Sequence, residues 1–134
     1  MGERLGGVVI AYLDTQVVVR LCEGRRKDLG AKAIKSLERD DLVISPIVSL
    51  ELQYLYEIGR TKRAAGALIG QLEAQIGLKV RDLGIQAIVA ASVFEDWTRD
   101  PFDRLIVSQA KADGFSTLLT SDEKIRRYYP KAIW

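Results

Sequence analysis

Histidine is absent from all 134 residues, and cysteine and methionine occur once each. Without imidazole, Ser-His-Asp and Cys-His catalysis, histidine general bases and zinc sites that need a nitrogen ligand are excluded. The lone thiol, Cys22, rules out an internal disulfide or a thiolate cluster and fits a reducing compartment. No apolar run approaches the roughly 20 residues of a bilayer-spanning helix. The most apolar stretches, 5–13 and 42–50, reach about half that length, so no membrane association is expected. The first carries Glu3 beside Arg4 on its flank and stops at Asp14 without a small-residue cleavage pattern. No signal peptide is therefore expected, and a cytoplasmic protein is. Chemistry is left to carboxylates, hydroxyls, lysines and arginines.

With 48% hydrophobic and 28% charged residues and three prolines, the composition is that of an ordered globular protein. The length suits a single domain, 1–134, with no interdomain linker. A net charge of +2 says little about nucleic acid by itself. If a cation sequestered several of the acids, a polyanionic partner would face a larger positive surplus.

Short apolar runs alternate with helical patterns. Residues 8–13 are continuous and β-branched, as in a buried parallel strand. Helices are expected at 15–22 and 29–37, separated by the basic turn Gly24-Arg25-Arg26-Lys27. A strand at 42–44 follows. Ser45-Pro46 then reads as an N-cap with proline at the first helical position, opening a helix that runs to 58 and stops at Gly59. Further helices are expected at 61–76, with Gly77 past the end, and at 85–97, with a short strand at 78–80 between them. Asp100-Pro101 repeats the cap-plus-proline start for a helix to 113, which Gly114 ends. A strand at 117–119, a helix at 123–128 and a strand at 132–134 complete the chain. This alternation predicts an α/β fold of three layers, with a central parallel sheet of four to five short strands. In such sheets the functional crevice lies beyond the carboxyl ends of the strands.

Four acids fall near those ends. Asp14 follows the first strand and Asp122 comes shortly after the fourth, in Thr120-Ser121-Asp122; taken singly, each is also accounted for as a helix N-cap. Glu51 sits among Ile47, Leu50, Tyr54, Leu55 and Ile58, a spacing that places it within an apolar stripe. An unpaired carboxylate there must neutralise, find donors or hold a cation, unless the start of the helix is partly exposed. Asp103 shares a face with Ile106, Val107 and Ala110, and with Asp100 it is also explained as a capping pair. Capping accounts fully for Asp100, which is otherwise a supporting residue in contact with a metal ion or its water. Jointly, acids at the ends of two strands and on two later helices can meet at one point. Crowded carboxylates raise one another's pKa, so a divalent cation resolves the cluster; oxygen ligands favour Mg²⁺ or Mn²⁺. Such a site supports hydrolysis of a phosphodiester.

Tyr12-Leu13-Asp14-Thr15, the Ser45-Pro46 helix with Glu51, Arg99-Asp100-Pro101-Phe102-Asp103-Arg104-Leu105-Ile106 and Leu119-Thr120-Ser121-Asp122 together resemble a PIN-domain ribonuclease. Among PIN domains the resemblance is to the VapC toxins of VapBC toxin-antitoxin pairs, and it spans nearly the whole chain. It implies a Mg²⁺- or Mn²⁺-dependent endoribonuclease whose catalytic and metal-holding acids are Asp14, Glu51, Asp103 and Asp122. Thr120 is implied as a supporting hydroxyl, and Arg104 matches the family's arginine. Relatives often carry histidine just before the Arg-Asp-Pro-Phe-Asp-Arg run, where this chain has Thr98. An RNA substrate, a cognate antitoxin and a homodimer are also implied by the resemblance alone.

Other readings compete. A catalytically silent PIN-like module would bind RNA or protein without cutting. An aspartyl-phosphate phosphatase would want a second acid two residues after Asp14, where Gln16 stands, and a receiver-type signalling domain leaves the acids on the later helices without a role. Arg99, Arg104, Lys111, Lys124, Arg126, Arg127 and Lys131 give the C-terminal third a basic bias that could steer phosphate, although solvated surface explains each singly. Tyr128, Tyr129 and Trp134 fit packing of the last helix and strand better than base stacking. Cys22 is expected in the core.

Overall fold

The computed structural model describes residues 9–134. The first strand, β1, spans Ile10–Leu13 and is buried throughout; Val8, the start expected from the sequence, lies outside the described residues. Next come α1 (Thr15–Cys22), a 3-10 turn at Arg26–Asp28, α2 (Ala31–Arg39), β2 (Asp41–Ile44) and α3 (Pro46–Glu57). The chain continues through α4 (Ala65–Ile76), β3 (Lys79–Val80), α5 (Ile85–Ser92), α6 (Pro101–Ala112), β4 (Thr117–Leu119), α7 (Glu123–Tyr128) and β5 (Ala132–Ile133).

All strand pairs are parallel, in the order β3-β2-β1-β4-β5. The expected α/β fold with a central parallel sheet is what forms. Its chain order reverses at β1, which pairs with β2 on one side and β4 on the other. That reversal opens a crevice at the carboxyl ends of β1 and β4. Leu13 is in register with Leu119, and the Asp14 amide donates to the Leu119 carbonyl at 3.0 Å, so Asp14 and Thr120 leave the sheet side by side.

Local chemistry sets the helix ends. The Ser45 hydroxyl accepts from the Ile47 amide ahead of Pro46, and Asp100 accepts from Phe102 and Asp103 ahead of Pro101. Gly77, at φ +70°, closes α4 in the left-handed region that disfavours other residues. Gly30 is required for a different reason. A Cβ there would lie 2.3 Å from the Trp134 carbonyl carbon, where the chain end docks on the start of α2.

Three expectations change. The helix expected over 85–97 ends at Ser92, whose hydroxyl turns back onto the Val89 carbonyl at 2.7 Å. The chain then unwinds, and Glu95 is buried against Lys111. The core face of α3 is Val48, Leu52 and Leu55, whereas Leu50, Tyr54 and Ile58 of the expected stripe are about half exposed or more. Cys22 is half-buried rather than in the core, its thiol 3.5 Å from the Leu68 carbonyl.

At the far end of α6 from the crevice, the Asp113 carboxylate accepts from the buried Tyr12 hydroxyl (2.6 Å) and from the Arg81 guanidinium (2.9 Å at Nη2). The Gln109 amide donates to Tyr12 and to the Arg81 carbonyl. This network ties β1 to α6 and to the chain after β3. Asp113→Asn is expected to cost about 1–3 kcal/mol, because Arg81 and Tyr12 lose a charged acceptor. Equilibrium urea unfolding checks it.

Candidate active site

Asp14, Thr15, Gln16, Glu51, Asp100, Asp103, Ser121 and Asp122 line one cavity of about 250 Å³ at the crevice. The sheet brings in Asp14 and Asp122 from the ends of β1 and β4. Glu51 comes from the second turn of α3, and Asp100 and Asp103 come from the start of α6. Asp14 and Thr15 are buried and form the floor; Asp100 and Asp122 are exposed on the rim.

Most of these acids are engaged. Asp14 Oδ1 accepts from the Thr15 amide at 2.8 Å, and Oδ2 accepts from the buried Thr120 hydroxyl at 2.6 Å. That hydroxyl also accepts from the Asp122 amide at 3.0 Å, so Thr120 ties the two strand-end acids together. Glu51 Oε1 accepts from the Thr15 hydroxyl at 2.5 Å. Asp122 caps α7 by accepting from the Ile125 amide, and Asp100 caps α6. The capping roles and the shared cavity hold together. Asp103 stands apart: among the described residues, no protein donor reaches its half-buried carboxylate.

The acids surround one cavity without closing on a single point. Among the described residues, no three acidic, cysteine or histidine side chains are gathered tightly enough to hold an ion by themselves. Mutual repulsion and the hydrogen bonds that turn Asp14, Glu51, Asp100 and Asp122 towards their partners account for this spacing. The residues nonetheless fit a hydrated divalent ion. Mg²⁺ keeps several waters and takes only one or two carboxylates directly, and a water occupies about 30 Å³, so the cavity has room for both.

The charge crowding is explicit in the acidities. Burial first, and then the charges of Asp100, Asp14, Asp122 and Glu51, together push the Asp103 carboxyl up to about 7. Asp14 is raised by burial, opposed by Thr120 and the Thr15 amide and reinforced by Asp122 and Asp100. Glu51 is raised by burial, opposed by Thr15 and reinforced by Asp14 and Asp100. Five acids therefore share one field.

The sign of the pH dependence follows. A carboxyl whose pKa is higher folded than unfolded stabilises the fold fully below its unfolded value, and that stabilisation is lost as pH rises through the folded value. In chelator, the parent should lose stability from about pH 4 to pH 7. Asp103→Asn should flatten that loss and melt higher than the parent at neutral pH, by something on the order of 1 kcal/mol once solvent screening is counted. Glu51→Gln should gain less, since it disturbs the Thr15 bond. Thermal melts across pH in chelator are the check; a variant that melts lower with the parent's pH slope would make Asp103 a simple structural acid.

Arg104 does not line the cavity. Its Nε donates to the Thr98 carbonyl at 2.8 Å, while the Thr98 hydroxyl accepts from the Asp100 amide at 3.1 Å. Arg104 and Thr98 thus fix the loop that delivers Asp100 and Asp103. Thr15, Gln16 and Ser121 were not singled out from the sequence. Thr15 and Ser121 lie within the quoted runs, and their adjacency to strand-end acids was the available signal.

The fold is similar to those of chains in several solved complexes. With VapBC2 from Rickettsia felis bound to a promoter DNA fragment, the TM-score is 0.66 at 21% identity, covering 93% of this chain and 96% of that one. A toxin-antitoxin complex from Klebsiella pneumoniae gives 0.64 at 19% identity, over 92% and 96%. VapBC-1 from nontypeable Haemophilus influenzae gives 0.61 at 18% identity, over 94% and 96%. No curated protein sequence matches significantly. At these identities the likeness is one of fold, but the PIN domain family model matches residues 11–131, from β1 to the residue before β5. That span takes in every acid of the cavity, and the chain belongs to the PIN domain family.

Proposed function

We propose that this protein is a Mg²⁺- or Mn²⁺-dependent endoribonuclease and the toxin of a toxin-antitoxin pair. PIN domains are generally nucleases that use divalent metal ions. The observation that carries the reading is the Asp103 carboxyl, half-buried, without a protein donor and pressed on by four other acids in one cavity. Asp14, Glu51, Asp103 and Asp122 are the groups to hold the cation. When bound, it supplies Lewis-acid stabilisation of charge on the phosphodiester. Thr120 and the Thr15 amide fix the Asp14 carboxylate, Thr15 fixes Glu51, and Arg104 fixes the loop before α6. Asp100 contributes charge from the rim. The preference for RNA rests on the family resemblance, since phosphodiester chemistry at this cavity reads neither base nor sugar.

End-labelled RNA incubated with the protein and Mg²⁺ or Mn²⁺ should be cut internally. Chelator should stop the reaction, and added metal should restore it. Saturable RNA binding with no cutting in either metal would favour the silent binding module.

The antitoxin partner is supported by the likeness to toxin-antitoxin complexes. A groove of about 560 Å³ has Val19, Cys22 and Leu68 in its lining; Glu23 and Arg25 are paired at its edge, and Arg60, Lys62 and Arg63 leave a positive surplus that suits an acidic amphipathic segment of such a partner. Among the described residues no helix is long and apolar enough to cross a membrane. The homodimer draws support from apolar side chains left in solvent on α3 and at the end of α5. Leu50 is 60% exposed, Val93 63% and Phe94 82%. Sedimentation should give a dimer at micromolar concentration, shifted towards monomer by Phe94→Asp; a monomeric parent would contradict it.

A further inference from the structure

Outside the acid cavity, the rings of Trp97 and Tyr128 are stacked, with centroids 5.3 Å apart and planes at 12°. The pair is held in place from behind. Trp97 Nε1 donates to Glu95 Oε1 at 2.9 Å, and the buried Glu95 carboxylate accepts from Lys111 Nζ through both oxygens at 2.9 and 2.8 Å. Trp97 itself is partly buried against the core. Tyr128 is 47% exposed, and among the described residues no other ring or cation is stacked on it. Tyr129, the neighbour considered with it from sequence, is fully buried and takes no part.

Both chain segments of this platform lead away from the cavity, and its anchor Lys111 stands eight residues after Asp103, about 12 Å along α6. Trp97 stands three residues before Asp100, across the stretch that Thr98 and Arg104 hold rigid. Tyr128 lies six residues after Asp122, about 9 Å along α7. Lys124, exposed, shares a helix face with Tyr128 at the i, i+4 spacing.

Resting on the nuclease reading above, we infer that Tyr128, backed by Trp97, stacks on an unpaired base of the RNA strand whose phosphodiester lies at the acid cavity. Lys124 meets a phosphate between the two. Stacking of this kind tolerates any base but requires one that is not paired, so the substrate class is single-stranded or loop RNA. Glu95 and Lys111 are positioning residues that fix the indole.

The test uses full-length protein carrying Asp103→Asn, to prevent cutting, and Trp134→Phe, to leave Trp97 as the single tryptophan. A single-stranded oligoadenylate in Mg²⁺ should quench Trp97 fluorescence saturably, and the adenylate-uridylate duplex should not. Adding Tyr128→Ala should weaken single-strand binding about 5- to 100-fold. In protein with Asp103 intact, Tyr128→Ala should raise KM with little change in kcat, and Tyr128→Phe should behave as the parent. Equal single-strand affinity for Tyr128→Ala and parent, or equal quenching by duplex, overturns the platform and leaves the nuclease reading standing. A parent that neither binds nor cuts RNA in either metal overturns both.

Discussion

Asp103→Asn is expected to lower RNA cleavage about a thousandfold or more, some 4 kcal/mol in the barrier. The substitution is isosteric and removes no hydrogen bond from a protein donor, so the loss reports charge at the cavity and not a damaged fold. Asp14→Asn and Asp122→Asn should also lower activity by orders of magnitude, but each carries a second role. Asp14 accepts from Thr120 and the Thr15 amide, and Asp122 caps α7. Asp100→Asn should cost at most about tenfold, because asparagine caps a helix as well as aspartate and the position is on the exposed rim. Single-turnover cleavage rates for the four variants are the measurement. If Asp100→Asn is as inactive as Asp103→Asn, the assignment within that pair is wrong.

The second large effect is on stability. A cation that binds only the folded state stabilises by mass action, about 2.7 kcal/mol at a hundredfold excess over Kd. The parent should therefore melt several degrees higher in millimolar Mn²⁺ than in chelator. Asp103→Asn should gain much less, having lost a ligand charge and having started from a relieved cavity. Parallel thermal melts of the two proteins decide this. Equal gains would mean that the ion binds elsewhere, and the acids would then be caps and nothing more.

The alternation of apolar runs with capped helices made the α/β class legible, because Pro46, Pro101, Gly77 and Gly114 act through local backbone geometry. The 123–128 helix and the 117–119 strand fall where they were expected. What was not legible depends on tertiary partners. Glu95 leaves the helical pattern for Lys111, which shortens α5, and no local signal announces a partner 16 residues away. In α3 the expected stripe of Ile47, Leu50, Tyr54, Leu55 and Ile58 was right only in part: Leu55 is buried and Ile47 packs against the core, but Leu50, Tyr54 and Ile58 face solvent and Val48 and Leu52 complete the buried face. Glu51 still reaches the cavity, through the Thr15 hydroxyl and not through burial in that stripe. The four acids could be named from sequence because strand ends and helix starts converge at a switch point; their spacing around the cavity could not, since hydrogen bonds to Thr15, Thr120 and the cap amides set it.

Calorimetric titration of Mn²⁺ into the parent near pH 7, in two buffers of different ionisation enthalpy, reads whether the crowded carboxylates hold a divalent cation. A carboxyl with its pKa near 7 is partly protonated there and must give up that proton to ligate a cation. Saturable binding with proton release, seen as a buffer-dependent enthalpy, is expected in the parent, with both lost in Asp103→Asn. No saturable binding, or binding in Asp103→Asn with the same affinity and proton release as the parent, would contradict it.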